Sequence, residues 1–230
     1  MKRIPHQLAN SLSICVLILG GSSARAELFS APAVDNATVQ VEGPRPGDNG
    51  KRFFNMEGNQ NGDCSAPMVP PCFASFGVAD FDSDCLQIPG DIESIRSLTV
   101  TLVQANAAFT HDGAVHFWLT TDTTTDIQPG DDPAVLFLLA DDPDGLADQL
   151  LPRFFLGDGT FTQVEDGHPD PFSFSLSKEA GGYLIQQIRN HGAIRIAVSP
   201  ADGTVAATYA GHTNDEFPGP LITLDVERDD

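Results

Sequence analysis

The sequence of 230 residues predicts an all-β protein, an antiparallel two-sheet jelly-roll sandwich with one short helix near residues 179–190. Apolar and polar residues alternate with period two in Leu98, Val100 and Leu102, in Val115, Phe117 and Leu119, and in Phe172, Phe174 and Leu176. Successive side chains of a strand point to opposite faces, so these runs are half-buried strands. The separators carry the residues that turns require, as in Pro46-Gly47-Asp48-Asn49-Gly50, Gly157-Asp158-Gly159 and Ala201-Asp202-Gly203. There Gly supplies a positive φ and Pro a fixed one. Strands that recur with turns between them, and little helix, describe a sandwich.

Read in order, residues 1–26 form a leader. Lys2 and Arg3 begin it, an apolar stretch around residues 14–19 follows, and Ala24-Arg25-Ala26 supplies a small-x-small cleavage site. A lipoprotein anchor at Cys15 is the alternative, against which Ile14 stands where a small residue would be wanted. Glu27 is the expected mature start, and export across one membrane, to the periplasm or outside the cell, follows from it. Residues 27–36 read as an N-terminal segment, residues 37–226 as one β-sandwich domain without a linker or repeat, and residues 227–230 as an acidic tail. Strands are expected at 38–41, 52–56, 73–81, 98–102, 115–119, 134–139, 160–164, 172–176, 193–198, 205–209 and 221–226. The helix at 179–190 places Leu184, Ile185 and Ile188 on one side and stops at His191-Gly192, a C-cap signal. A shorter helical turn is expected at 146–151 after Asp144.

Charge narrows the partners. With 12 Lys and Arg against 32 Asp and Glu, the formal net charge is −20, which repels phosphate backbones and anionic lipid headgroups. Nucleic acid and membrane insertion are therefore disfavoured; cations and glycans remain. Export leaves Cys64, Cys72 and Cys85 in an oxidising compartment. The closest pair, Cys64 and Cys72, brackets a proline-rich loop and is the expected disulfide, with Cys85 unpaired; a bridge through Cys85 is the alternative.

The order of features also resembles a known family. Phe73-Ala-Ser-Phe-Gly-Val-Ala-Asp-Phe-Asp82 is followed by Ile92-Glu-Ser-Ile-Arg-Ser-Leu-Thr-Val-Thr-Leu102, then by Tyr183-Leu-Ile-Gln-Gln-Ile188 and by Glu216-Phe-Pro-Gly-Pro-Leu-Ile-Thr-Leu224. This succession resembles DNRLRE-type jelly-roll modules of secreted bacterial proteins, over roughly residues 37–226. The likeness implies carbohydrate binding. The chain departs from that pattern in its Cys64 to Cys85 insertion.

Motifs of catalysis are scarce: there is no G-x-S-x-G elbow, H-E-x-x-H, P-loop or G-x-G-x-x-G. Binding is better marked. With Val115, Phe117 and Leu119 inward, His116 and Trp118 face outward, and an exposed indole suits the apolar face of a sugar ring. Thr99, Thr101 and Arg195, outward by the same alternation, would hydrogen-bond its hydroxyls or an acidic group. A second small core beneath a loop is the competing place for Trp118. Asp80, Asp82 and Asp84, and Asp141, Asp142 and Asp144, form two acidic clusters. Calcium takes about six to eight oxygens, which such clusters can furnish in a structural site; plain solubilising and capping roles compete with it. Two functions stay open, a non-catalytic polysaccharide-binding or envelope-associated module, and a small polysaccharide lyase or hydrolase whose cleft would unite carboxylates with His116 and Tyr209.

Overall fold

The structure, a computed structural model, describes residues 26–40, 43–60, 73–129 and 150–228. Its longest strand, β1 (Ala26–Gln40), does two jobs. From Ala26 to Pro32 it pairs with β11 (Leu221–Arg228), and from Ala33 to Gln40 with β4 (Ser75–Asp82), with a bulge between Ala33 and Asp35 where it changes partner. An inserted residue bends a strand and sharpens its twist, which lets one strand pair with β11 over its first part and with β4 over the rest. Residues 26–36 are thus continuous with the sheet, where the sequence suggests a separate N-terminal segment. Glu227 and Arg228, read as tail, belong to β11.

The remaining elements are β2 (Gly43–Pro44), α1 (Asp48–Arg52), β3 (Phe53–Glu57), β5 (Ile92–Val103), β6 (Gly113–Thr120), β7 (Arg153–Phe161), β8 (Pro169–Ser175), α2 (Lys178–Arg189), β9 (Ala193–Pro200) and β10 (Ala206–Ala210). All pairings are antiparallel, along one path β7-β6-β9-β4-β1-β11-β5-β8, with β10 and β3 branching from β4. The ends of the path approach each other, so the sheet is nearly closed. Glycine makes this approach possible. A Cβ at Gly159 would stand 2.7 Å from the Phe172 ring, and one at Gly157 would stand 2.8 Å from Phe174. The Gly157-Asp158-Gly159 run, which reads as a turn, is therefore strand in β7, because the aromatic rings of β8 need the space.

The main core fills the curl: Phe54, Phe81, Leu98, Leu102, Phe117, Phe161, Ile196, Tyr209 and Leu224 are all buried. Helix α2 closes one end. Ser177 caps it by accepting from the Ala180 N–H (3.1 Å), and Leu184 enters the core. At its C-terminus the Gly192 N–H donates to the Gln187 carbonyl (2.9 Å) and the His191 N–H to the Ile188 carbonyl (3.3 Å). This is a Schellman ending, with His191 itself in the left-handed conformation (φ 54°) that Gly commonly takes. A smaller core of Ala37, Val39, Phe76, Val78 and Ala197 lies on the outer face of β1, β4 and β9, under Ile127 and Leu150. Cys85 sits exposed with a free thiol. The leader, the Cys64–Cys72 bridge, the 134–139 strand, most of the 146–151 turn and Asp141, Asp142 and Asp144 lie outside the described residues.

Candidate functional site

Strand β3 alternates as Phe54 and Met56 enter the core and Asn55 and Glu57 face the other way. Its partner β10 does the same: Ala207 and Tyr209 go inward, while Ala206 and Thr208 lie opposite Glu57 and Asn55. The outer face of this two-stranded branch is a floor of small and polar groups. One wall is the segment after β5. The Ala105 N–H donates to Thr208 O (3.1 Å), Asn106 takes a left-handed turn (φ 58°), and His111 and Ala206 exchange backbone hydrogen bonds of 2.8 and 3.1 Å. That wall carries Phe109, 73% exposed. The other wall carries Arg45, fixed by the donation of its N–H to Thr38 O (2.8 Å).

Between them lies a half-open cleft of about 610 Å³, bordered by Arg45, Asn55, Glu57, Phe109, His111 and Thr208. Partial burial pushes the Glu57 carboxyl up to about 7; a hydrogen bond from Asn55 and the charge of Arg45 offset only part of that. A carboxyl that keeps its proton near neutral pH both donates and accepts, and a perturbed acid in a cleft marks a candidate functional group. The Asn55 side-chain oxygen is buried with no partner among the described residues. Fold stability gives no reason for such a group, since an unmade buried hydrogen bond costs ~1–3 kcal/mol. Phe73, at the end of the floor, is 47% exposed. Rings at the rim over polar floor groups are suited to a ligand with apolar faces and hydroxyl edges.

The residues expected to bind a ligand are scattered. His116 and Trp118 stay together, with ring centroids 5.9 Å apart. Trp118 is not an open platform: Arg153 lies over its ring at 5.0 Å, Phe155 meets it at 4.9 Å, its Nε1–H donates to Ser199 Oγ (3.0 Å), and it packs on the second core. Arg195 is 3% exposed, with its guanidinium committed to Asp80 and to the carbonyls of Asp122 and Thr125. Thr99 and Thr101 are on β5, in the other part of the sheet, where Thr99 shares a 2.8 Å hydrogen bond with Ser173. The His116 and Tyr209 cleft does not form either, because Tyr209 is fully buried and donates to Asp170 (3.1 Å).

The acidic trio also separates. Asp80 is paired with Arg195, Asp82 accepts the Asp84 N–H (2.9 Å) as a cap, and Asp84 meets His191 at 2.5 Å. Among the described residues, no group of three or more His, Cys, Asp or Glu is placed to hold a metal ion.

No protein-family model matches the chain, and no curated protein matches it in sequence. The cleft thus stands on its own chemistry. Phe54-Asn55-Met56-Glu57 does show the two-faced pattern of a strand. Nothing local in it marks the polar face as a floor, since the Phe109 and His111 wall arrives from a distant stretch of chain. No helix among the described residues is long and apolar enough to cross a membrane.

Proposed function

We propose that this is a secreted, non-catalytic module of jelly-roll type that binds a polysaccharide in the cleft above β3 and β10. The observation that carries this reading is the pairing of exposed Phe109 and Phe73 at the rim with Asn55, Glu57 and Thr208 on the floor. Sugars present an apolar ring face and a hydroxyl edge, so stacking and hydrogen bonding must be offered side by side. Secretion rests on the leader-like residues 1–26, and the jelly-roll assignment on the antiparallel strands, with β1 pairing first with β11 and then with β4, and on the resemblance to DNRLRE-type modules. A structural calcium ion, for which the sequence offers Asp80, Asp82, Asp84, Asp141, Asp142 and Asp144, is part of this reading.

Glu57 supports a second reading. A carboxyl titrating near neutrality is what a general acid of a hydrolase or lyase uses. Hydrolases pair two carboxyl groups across the scissile bond, and among the described residues bordering the cleft Glu57 is the one carboxylate. Binding is therefore preferred to cleavage. Affinity electrophoresis against a panel of neutral and acidic polysaccharides, with a reducing-end assay on the same mixtures, tests both. Retardation without new reducing ends supports the module; new reducing ends that vanish in Glu57→Gln support the enzyme.

A further inference from the structure

Several cations among the described residues are committed to ion pairs. Arg52 pairs with Asp215 and Glu216, Arg96 with Glu227, Arg195 with Asp80 and Arg228 with Glu27. With 32 acids to 12 bases, each guanidinium has many carboxylates to choose from. Arg45, like Arg153 and Arg189, is in no ion pair among the described residues; Arg189 donates to the Ile92 carbonyl and Arg153 lies over Trp118, whereas Arg45 lines the cleft. Glu57 faces it within electrostatic reach, and Asn55 is hydrogen-bonded to Glu57.

We infer that the cleft selects an acidic sugar, a uronate unit whose carboxylate seats between the guanidinium of Arg45 and the carboxyl of Glu57. This rests on the glycan-binding reading and names the class of glycan. A carboxylate suits the planar, doubly donating guanidinium, whereas a neutral hydroxyl uses only one of its N–H groups. The overall field of a chain at −20 opposes an anionic ligand. A uronate therefore binds only where the local charge is favourable, and Arg45 provides that. A neutral Glu57 adds a donor, while an ionised Glu57 adds a like charge, so the ligand should be taken up with a proton.

The charges facing Glu57 are few. Arg45 comes from the turn after β2 and His111 from the far wall; β10 and β4 oppose it with Ala206 and Ser75, which carry none. With its carboxyl raised to about 7, Glu57 gives up its proton as pH rises through and above neutrality. If only the protonated form binds, apparent affinity falls by about tenfold or more between pH 5.5 and 8.5. His111 also borders the cleft, so it needs its own control.

The test is calorimetric titration of the full chain with trigalacturonate and with cellotriose at pH 5.5 and 8.5. The expected result is binding of trigalacturonate at pH 5.5, loss of most of it at pH 8.5, and weaker, pH-insensitive binding of cellotriose. Glu57→Gln should hold its acid-pH affinity at pH 8.5; His111→Gln should leave the pH dependence in place; Arg45→Ala should abolish the preference for the uronate. Thermal melts of each variant check the fold, and Arg45→Lys, which keeps the charge but not the fork, should bind with intermediate affinity. Equal, pH-insensitive binding of both sugars overturns the inference and leaves the glycan reading intact. Binding of neither at any pH, by a chain that melts cooperatively, overturns the glycan reading itself.

Discussion

Arg195 of β9 and Asp80 of β4 form a two-point ion pair: Nε donates to one carboxylate oxygen at 2.7 Å and Nη2 to the other at 2.8 Å. The remaining nitrogen, Nη1, donates to the carbonyls of Asp122 and Thr125 at 3.1 and 2.9 Å. One side chain thus pins the segment after β6 over the outer face of the sheet, where Ile127 covers the second core. Removing one partner of a buried pair leaves the other charge uncompensated, which costs ~3–5 kcal/mol. Arg195→Ala should therefore lower the melting temperature by roughly 6–20 °C in a domain of this size. Glycan retention measured well below the melt should be unchanged. Lost retention in a variant that melts normally would put Arg195 back in a binding site.

Trp118→Ala separates the same alternatives on β6. The indole is held by Ser199, covered by Arg153 and packed on the second core, so its truncation should cost about 3 kcal/mol, the low end of the range for core aromatics. Polysaccharide retention should survive. A stable Trp118→Ala variant that no longer binds would move the site from the β3–β10 cleft to this face.

Phe109 should behave the opposite way. Its ring is largely in solvent, and surface truncations usually stay within about 0.5 kcal/mol. Stacking of an aromatic face is worth ~1 kcal/mol. Phe109→Ala should thus leave the melt in place and weaken glycan binding by roughly fivefold to tenfold, read by titration; unchanged affinity would remove the rim from the site.

How legible these features are depends on whether a residue's job is decided nearby or far away. The alternation in Leu98, Val100 and Leu102 is local, and β5 follows it. So does α2, where Ser177, the apolar spacing and the Gly192 stop agree; only the left-handed position falls on His191 instead of a glycine. Residues 26–36 have no comparable pattern, contain Pro32, and become strand because β11, from the far end of the chain, offers a partner. Alternation puts Arg195 and Trp118 on the side of their strands away from the main core, where Asp80 and the second core meet them. That face is wet or covered according to what the residues after 120 do, and alternation carries no information about that. The cleft fails to show for the same reason, since its floor and walls are brought together only by the pairing of β3 with β10 and of His111 with Ala206.

Glu57 gives the fold itself a pH dependence. Burial raises its carboxyl from an ordinary 4.5 to about 7, so the folded state holds a proton that the unfolded chain has released. The sign follows: the native state binds more protons between about pH 4.5 and 7, so stability falls as pH rises through that window and the penalty is complete above it. Because the side chain is still partly open to solvent, the penalty should be about 2 kcal/mol and not the full value that the shift would imply. Glu57→Gln removes the ionisable group but keeps the shape and the hydrogen bond to Asn55. The variant should match the parent in denaturant melts at pH 4.5 and exceed it by about 2 kcal/mol at pH 8.5, with the difference opening between those values. A constant offset at both pH values would mean that Glu57 is ionised in the folded protein throughout, and that the cleft holds a fixed negative charge beside Arg45.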